Sequence, residues 1–121
     1  MKIRIKGNSI RFRLTRTEVK VLCTDGRFEE RTEFDNTFFS YAVAISNEVR
    51  QLTARFNDNT ITLLLPKNEL GDWEANDEVG FQNMFRLDNG KELFLLLEKD
   101  FACLENTAED QSDNYPNPKA C

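Results

Sequence analysis

There is no histidine in these 121 residues. That absence removes Ser-His and Cys-His nucleophilic arrangements, imidazole general bases and histidine-ligated zinc from the available chemistry. Cysteine is scarce, with one residue each at Cys23, Cys103 and Cys121. An odd number at wide spacing, in a chain without an export signal, points to reduced thiols rather than a disulfide framework. Long apolar runs are missing as well. The longest, Leu93-Phe94-Leu95-Leu96-Leu97, has a strand's length and falls far short of the roughly 18 to 20 residues a membrane span needs. The opening Met1-Lys2-Ile3-Arg4-Ile5-Lys6 places charges where a signal peptide needs its apolar stretch. The expectation is a soluble, cytoplasmic protein. No phosphate-cradling glycine-rich loop, nucleophile elbow or dinucleotide fingerprint occurs.

What is present is a sorted charge. Residues 1–20 sum to +6, residues 21–97 to -7 and residues 98–121 to -4. An overall net charge of -5 opposes general nucleic-acid binding, because the rest of the chain repels what a local cationic patch attracts. The length fits one domain. Ten Phe, two Tyr and one Trp give it enough apolar area to bury a core without disulfide or metal support. We read residues 1–104 as that domain and residues 105–121 as an acidic tail. The tail lacks a periodic apolar pattern and is either disordered or laid over the body, with Tyr115 as its one aromatic anchor.

Hydrophobic period assigns the elements. Lys2, Arg4 and Lys6 alternate with Ile3 and Ile5, and Arg11 and Arg13 with Ile10, Phe12 and Leu14. That is two strands joined at Gly7-Asn8, apolar on one face and cationic on the other. Thr15 and Glu18 have the spacing of a capping box, with Leu14 and Val19 placed as a staple. A helix over about 16–24 follows, with Cys23 on its apolar face and Gly26 as its stop. Residues 28–34 and 37–45 form one hairpin, and residues 52–56 and 61–65 a second. Residues 67–75 suggest a helix with Leu70 and Trp73 one turn apart, weakened by Gly71. A strand begins at Val79 and Phe81, with Met84 to Leu87 as its continuation. Asp88-Asn89-Gly90 is the strongest turn signal, and residues 91–98 form the most apolar strand, at the centre of the sheet. The order β-β-α-β-β-β-β-α-β-β with short local connections predicts an α+β fold. Its sheet is expected to be mainly antiparallel, curled towards a partial barrel, with two short helices.

The opening Lys-Ile-Arg-Ile-Lys-Gly-Asn-Ser-Ile-Arg-Phe-Arg-Leu-Thr of residues 2–15, the Glu33-Phe34 pair and the Leu97-Glu98-Lys99-Asp100-Phe101-Ala102-Cys103-Leu104 motif are distinctive. Together they resemble a family of small, uncharacterised bacterial proteins, from residue 1 to the Asn-Pro of the tail. The resemblance implies no activity, cofactor or catalytic residue.

Candidate functional residues divide into four groups. Lys2, Arg4, Lys6, Arg11 and Arg13 project from one side of two adjacent strands and suit an anionic partner, since arginine forks match carboxylate and phosphate. The ordinary alternative is cross-strand ion pairing with Glu29 and Glu33, or the use of edge charges against aggregation. No aromatics interleave the basic face, which argues against single-stranded nucleic acid. The tail's Cys103, Cys121, Glu105, Glu109, Asp110 and Asp113 form a second group. Two thiolates are too few for a closed zinc site, and Asp110-Gln111-Ser112-Asp113-Asn114 lacks the glycine and terminal Glu of a calcium loop. A redox pair of Cys103 with Cys121 would need a folded tail. Asp25, Glu29, Glu30, Glu33 and Asp35 form the third group, better read as a solvated face than as acid–base pairs. The aromatics are the fourth, read as core or as the lining of a ligand cavity. No metal, cofactor or catalytic residue is expected. The favoured function is a non-enzymatic binding or adaptor module whose cationic hairpin holds an acidic protein or the chain's own tail, with a homodimer across the sheet as a variant. The alternative is a small ligand carrier or enzyme with an aromatic-lined pocket.

Overall fold

Four hairpins account for the eight strands of the described residues, and each forms where the sequence alternates. The computed structural model describes residues 1–102 and 110–116. β1 (Lys2–Ile5) turns at Gly7 into β2 (Ser9–Leu14), setting Ile3 opposite Phe12 and Ile5 opposite Ile10. β3 (Arg27–Glu33) pairs β4 (Phe38–Ser46), β5 (Thr53–Asn57) pairs β6 (Thr60–Pro66), and β7 (Gly80–Arg86) pairs β8 (Glu92–Lys99). Asp58-Asn59 makes a two-residue turn, with φ of 51° and 60°, the two positive values of a type I′ turn. The Asp88-Asn89-Gly90 turn instead uses one positive φ, 85° at Gly90.

The expected mainly antiparallel sheet is replaced by two mixed sheets, and neither closes into a barrel. Their orders are β1-β2-β8-β7 and β3-β4-β6-β5. Each hairpin is antiparallel, but within each sheet the hairpins join through a parallel pair, β2 with β8 and β4 with β6. Short connections dictate the hairpins only. The pairs that join them link Ser9 to Phe94 and Ser40 to Thr60, and no local signal sets their direction. The sheets face one another as a sandwich. Ile10, Phe12, Leu14, Leu95 and Leu97 of one meet Val43, Ile61, Leu63 and Leu65 of the other in a single buried cluster. The Phe12 ring stands edge-on to Tyr41 at 6.3 Å across that layer.

Both sides of the sandwich are stitched. On the β5/β7 side, Asn83 Nδ2 donates to Leu52 O at 2.8 Å. On the β1/β3 side, the buried amino group of Met1 ion-pairs with Glu18 and Glu30. The helix α1 (Arg16–Asp25) closes one end. Its capping box is formed, with Thr15 N donating to Glu18 Oε1 at 2.8 Å, and Gly26 ends it at φ 78°. Val19 and Leu22 are its buried face. The second helix is shorter than expected. α2 covers only Lys67–Leu70, because the chain breaks at Gly71 with φ 51°, yet Trp73 is still fully buried. β7 is one continuous strand. Tyr115 holds residues 110–116 to the body. Its N–H donates to Asp100 O at 2.9 Å, and its carbonyl accepts from Ala102 N at 2.7 Å.

The Met1 cluster predicts a pH dependence. Burial works to lower the pKa of the amine, but hydrogen bonds and charge from Glu18 and Glu30 outweigh it and hold the amine above the ordinary 8.0. A cation whose pKa is raised on folding adds stability that is complete below the unfolded value and is lost as pH rises through the folded one. The denaturation midpoint should therefore fall as pH rises above 8.0. Glu30→Gln should lower the midpoint at neutral pH and flatten that fall. Parallel slopes for the two proteins would show that the amine is not the titrating group.

Candidate functional site

Register decides which charges share a surface. On the outer face of the β1-β2-β8-β7 sheet, Lys2 lies opposite Arg13, and Arg13 is beside Glu98. In the next row Arg4 lies opposite Arg11, and Arg11 is beside Leu96. Ser9, Phe94 and Met84 make a third row. The alternation that sends Ile3, Ile10, Phe12 and Leu14 inward thus brings Lys2, Arg4, Arg11 and Arg13 together outside. Lys6 sits past the end of β1, exposed at the hairpin turn.

Like charges directly opposite one another on a sheet are destabilising, so this cluster needs anions. Among the described residues two anions meet it, Glu98 of β8 and Asp100 just beyond that strand, and none comes from β3. Glu98 ion-pairs with Arg11, and its Oε1 lies 3.2 Å from Arg13 Nε. Asp100 Oδ2 lies 3.2 Å from Lys2 Nζ. The expected partners Glu29 and Glu33 are in the other sheet, where they face Arg27 and Arg31 instead. Among the described residues, Arg4 and Lys6 carry no ion pair. Lys2, Ile3, Arg4, Arg11 and Arg13 line a recess of about 290 Å³. Beside it the face turns apolar, with Leu96 and Phe94 half-buried and Met84 54 % exposed.

The other sequence candidates scatter. Glu30 faces inward to Met1, while Glu29 and Glu33 face out with their arginines. Asp110 accepts the Ser112 N–H and Asp113 accepts the Thr17 hydroxyl. No cluster of metal-ligating side chains occurs among the described residues. Cys103, Glu105, Glu109 and Cys121 lie outside the described residues. Cys23 is half-buried on α1, and burial pushes its thiol pKa up. Phe12 and Trp73 are core, with Phe39, Tyr41, Phe81 and Phe85 packed against it, whereas Phe34 and Phe56 are exposed. A slot of about 350 Å³ opens at the turn end of the sandwich, between Ile5, Ile10, Phe56, Ile61 and Leu93.

One residue escaped the sequence reading. Lys99 continues the inward alternation of Leu95 and Leu97 and is only 4 % exposed. Its Nζ donates to Asn76 O at 2.7 Å and lies 4.9 Å from the centre of the Tyr115 ring and 5.9 Å from that of Trp73. Burial lowers its pKa, against the opposing pull of Asp77, Cys23, Glu78 and Asp72. Carrying the period of two beyond Leu97 was the signal that would have found it.

A sequence model described as "Family of unknown function (DUF7009)" matches residues 1–119. The chain belongs to this family. No curated protein and no solved structure matches the chain. No helix among the described residues of this DUF7009 protein is long and apolar enough to cross a membrane.

Proposed function

We propose that the outer face of the β1-β2-β8-β7 sheet docks an acidic protein partner. The observation that carries this is Arg4, which faces Arg11 across the strand pair with no carboxylate of its own among the described residues. A partner carboxylate in the recess supplies the missing counter-charge. The apolar strip of Leu96, Phe94 and Met84 alongside gives the partner area to bury, which exposed ion pairs alone do not provide. Lys2, Arg11 and Arg13, already held by Asp100 and Glu98, form the fixed wall of the site, while Arg4 and Lys6 are the residues that engage.

The test is fluorescence anisotropy with a labelled peptide of alternating Glu and Leu. Binding should weaken with added salt, because both charges are screened. Arg4→Glu/Lys6→Glu, at exposed positions, should weaken it at least about tenfold. Arg55→Glu on the other sheet should not. Equal binding by the Arg4/Lys6 variant, or tighter binding of an oligonucleotide than of the peptide, would overturn the assignment. A concentration-dependent dimer in sedimentation, abolished by the same variant, would assign the face to a second copy of the chain instead.

A further inference from the structure

At the helix end of the sandwich a cleft of about 620 Å³ opens above Lys99. That size is in the range of small-molecule sites. α1 lines it with Arg16 and Lys20, and the segment after α2 lines it with Glu74 and Asp77. Phe101 and Tyr115 supply ring wall, their centroids 5.9 Å apart, with the Arg16 guanidinium over the Tyr115 ring at 5.4 Å. None of Arg16, Lys20, Glu74 or Asp77 forms an ion pair among the described residues. Two elements thus bring opposite charges to one cleft without neutralising each other.

Lys99 makes the cleft more than a salted surface. Its ammonium has three donors. One donates to Asn76 O, the rings of Tyr115 and Trp73 flank it, and no carboxylate among the described residues forms an ion pair with it. Leaving a buried ammonium short of partners is costly. The acidic residues that act on it, Asp72, Asp77 and Glu78, do so at longer range. An anion entering the cleft meets that ammonium at its floor. A purely anionic ligand, though, also meets Glu74 and Asp77. Asp113 reduces the pull of Arg16, since its carboxylate is fixed beside the first turn of α1 by Thr17 at 3.0 Å. The balance selects a molecule that carries both signs.

We infer that this cleft binds a free α-amino acid as its zwitterion, with the carboxylate between Lys99 and Lys20, the ammonium towards Glu74 and Asp77, and the side chain against Phe101 and Tyr115. The aromatic walls favour a ring in that side chain, through offset or edge contacts.

Isothermal titration of the full chain with the twenty amino acids tests this, using L-phenylalanine, phenethylamine and 3-phenylpropionate as the matched set. L-phenylalanine should bind at about millimolar or better, and each one-charge analogue at least about tenfold more weakly. Glu74→Gln and Lys20→Ala, both at exposed positions, should each weaken it several-fold, and Lys99→Met should abolish it. Equal binding of 3-phenylpropionate and L-phenylalanine would overturn the proposal in favour of a plain anion site. So would binding unaffected by Glu74→Gln, or no heat with any of the twenty.

Discussion

Trp73→Ala should lower the free energy of unfolding by about 3 to 5 kcal/mol, the usual cost of deleting a large buried aromatic. Domains of this kind have only about 5 to 15 kcal/mol to lose, so the variant should sit near its unfolding threshold at physiological temperature. The indole is fully buried, and Nε1 donates to Glu78 O at 2.8 Å. The ring meets Phe81 of β7 at 5.0 Å and also shields the Lys99 ammonium. Removing it opens a cavity, leaves a carbonyl unpaired and bares the lysine at once. Because Trp73 is the one tryptophan, the comparison needs circular dichroism rather than fluorescence. Trp73→Phe should fall in between, since it keeps most of the apolar area and loses the hydrogen bond. A loss below about 1 kcal/mol for Trp73→Ala, the level of an ordinary surface change, would mean that residues 71–79 are not packed on the end of the sandwich.

The second large effect belongs to Gly80. It opens β7 opposite Glu98, and a β-carbon there would lie 2.2 Å from Leu97 O and 2.7 Å from Glu98 Cα. Both obstacles are backbone, so relief requires the β7–β8 ladder to shift. Glycine in a strand marks such a close approach. Gly80→Ala should cost about 1 to 3 kcal/mol, the price of overpacking, and Gly80→Val more. Urea denaturation checks the magnitude. Gly7 provides the contrast. It has φ 55° and open space where its β-carbon would go, and Gly7→Asn should be mild because asparagine tolerates that conformation. If Gly80→Ala proves equally mild, the β7–β8 spacing is looser than the register implies. A further readout follows from position. Displacing Glu98 loosens the grip on Arg11 and Arg13, so Gly80→Ala should also change the affinity of the Glu-Leu peptide.

Much of this architecture is written locally. The alternation in residues 2–14 gave the two strands and the side each charge takes, and Thr15 with Glu18 gave the helix start. What alternation does not contain is which hairpin lies beside which. Nothing in Lys2–Leu14 names β8 as its neighbour, so the sequence points to the nearer Glu29 and Glu33 as counter-ions rather than to Glu98 and Asp100. The same gap hid the sandwich, because parallel pairing between distant strands carries no turn signal. Lys99 was missed for another reason. A lysine after a glutamate reads as the end of a strand, whereas the buried face continues one residue further and is completed by Trp73 and Tyr115. The spacing of Leu70 and Trp73 predicts a helix over 67–75 and both are buried, yet Gly71 at φ 51° breaks the helix between them.

The pairing of β2 with β8 also bears on how the chain is made. The β3-β4-β6-β5 sheet has all its strands once Pro66 has been synthesised, but β2 gains its inner neighbour only when β8 emerges. Until then the N-terminal hairpin carries Ile10 and Phe12 on a strand with an open edge, and unpaired apolar edges of this kind invite association. The cations of that hairpin repel their own kind, so charge opposes the meeting of two copies whose hairpins still lack β8. Glu98 and Asp100 arrive with β8 and neutralise part of that charge once the edge is covered. Charge repulsion opposes association while the edge is open, and strand pairing covers the edge once β8 is in place.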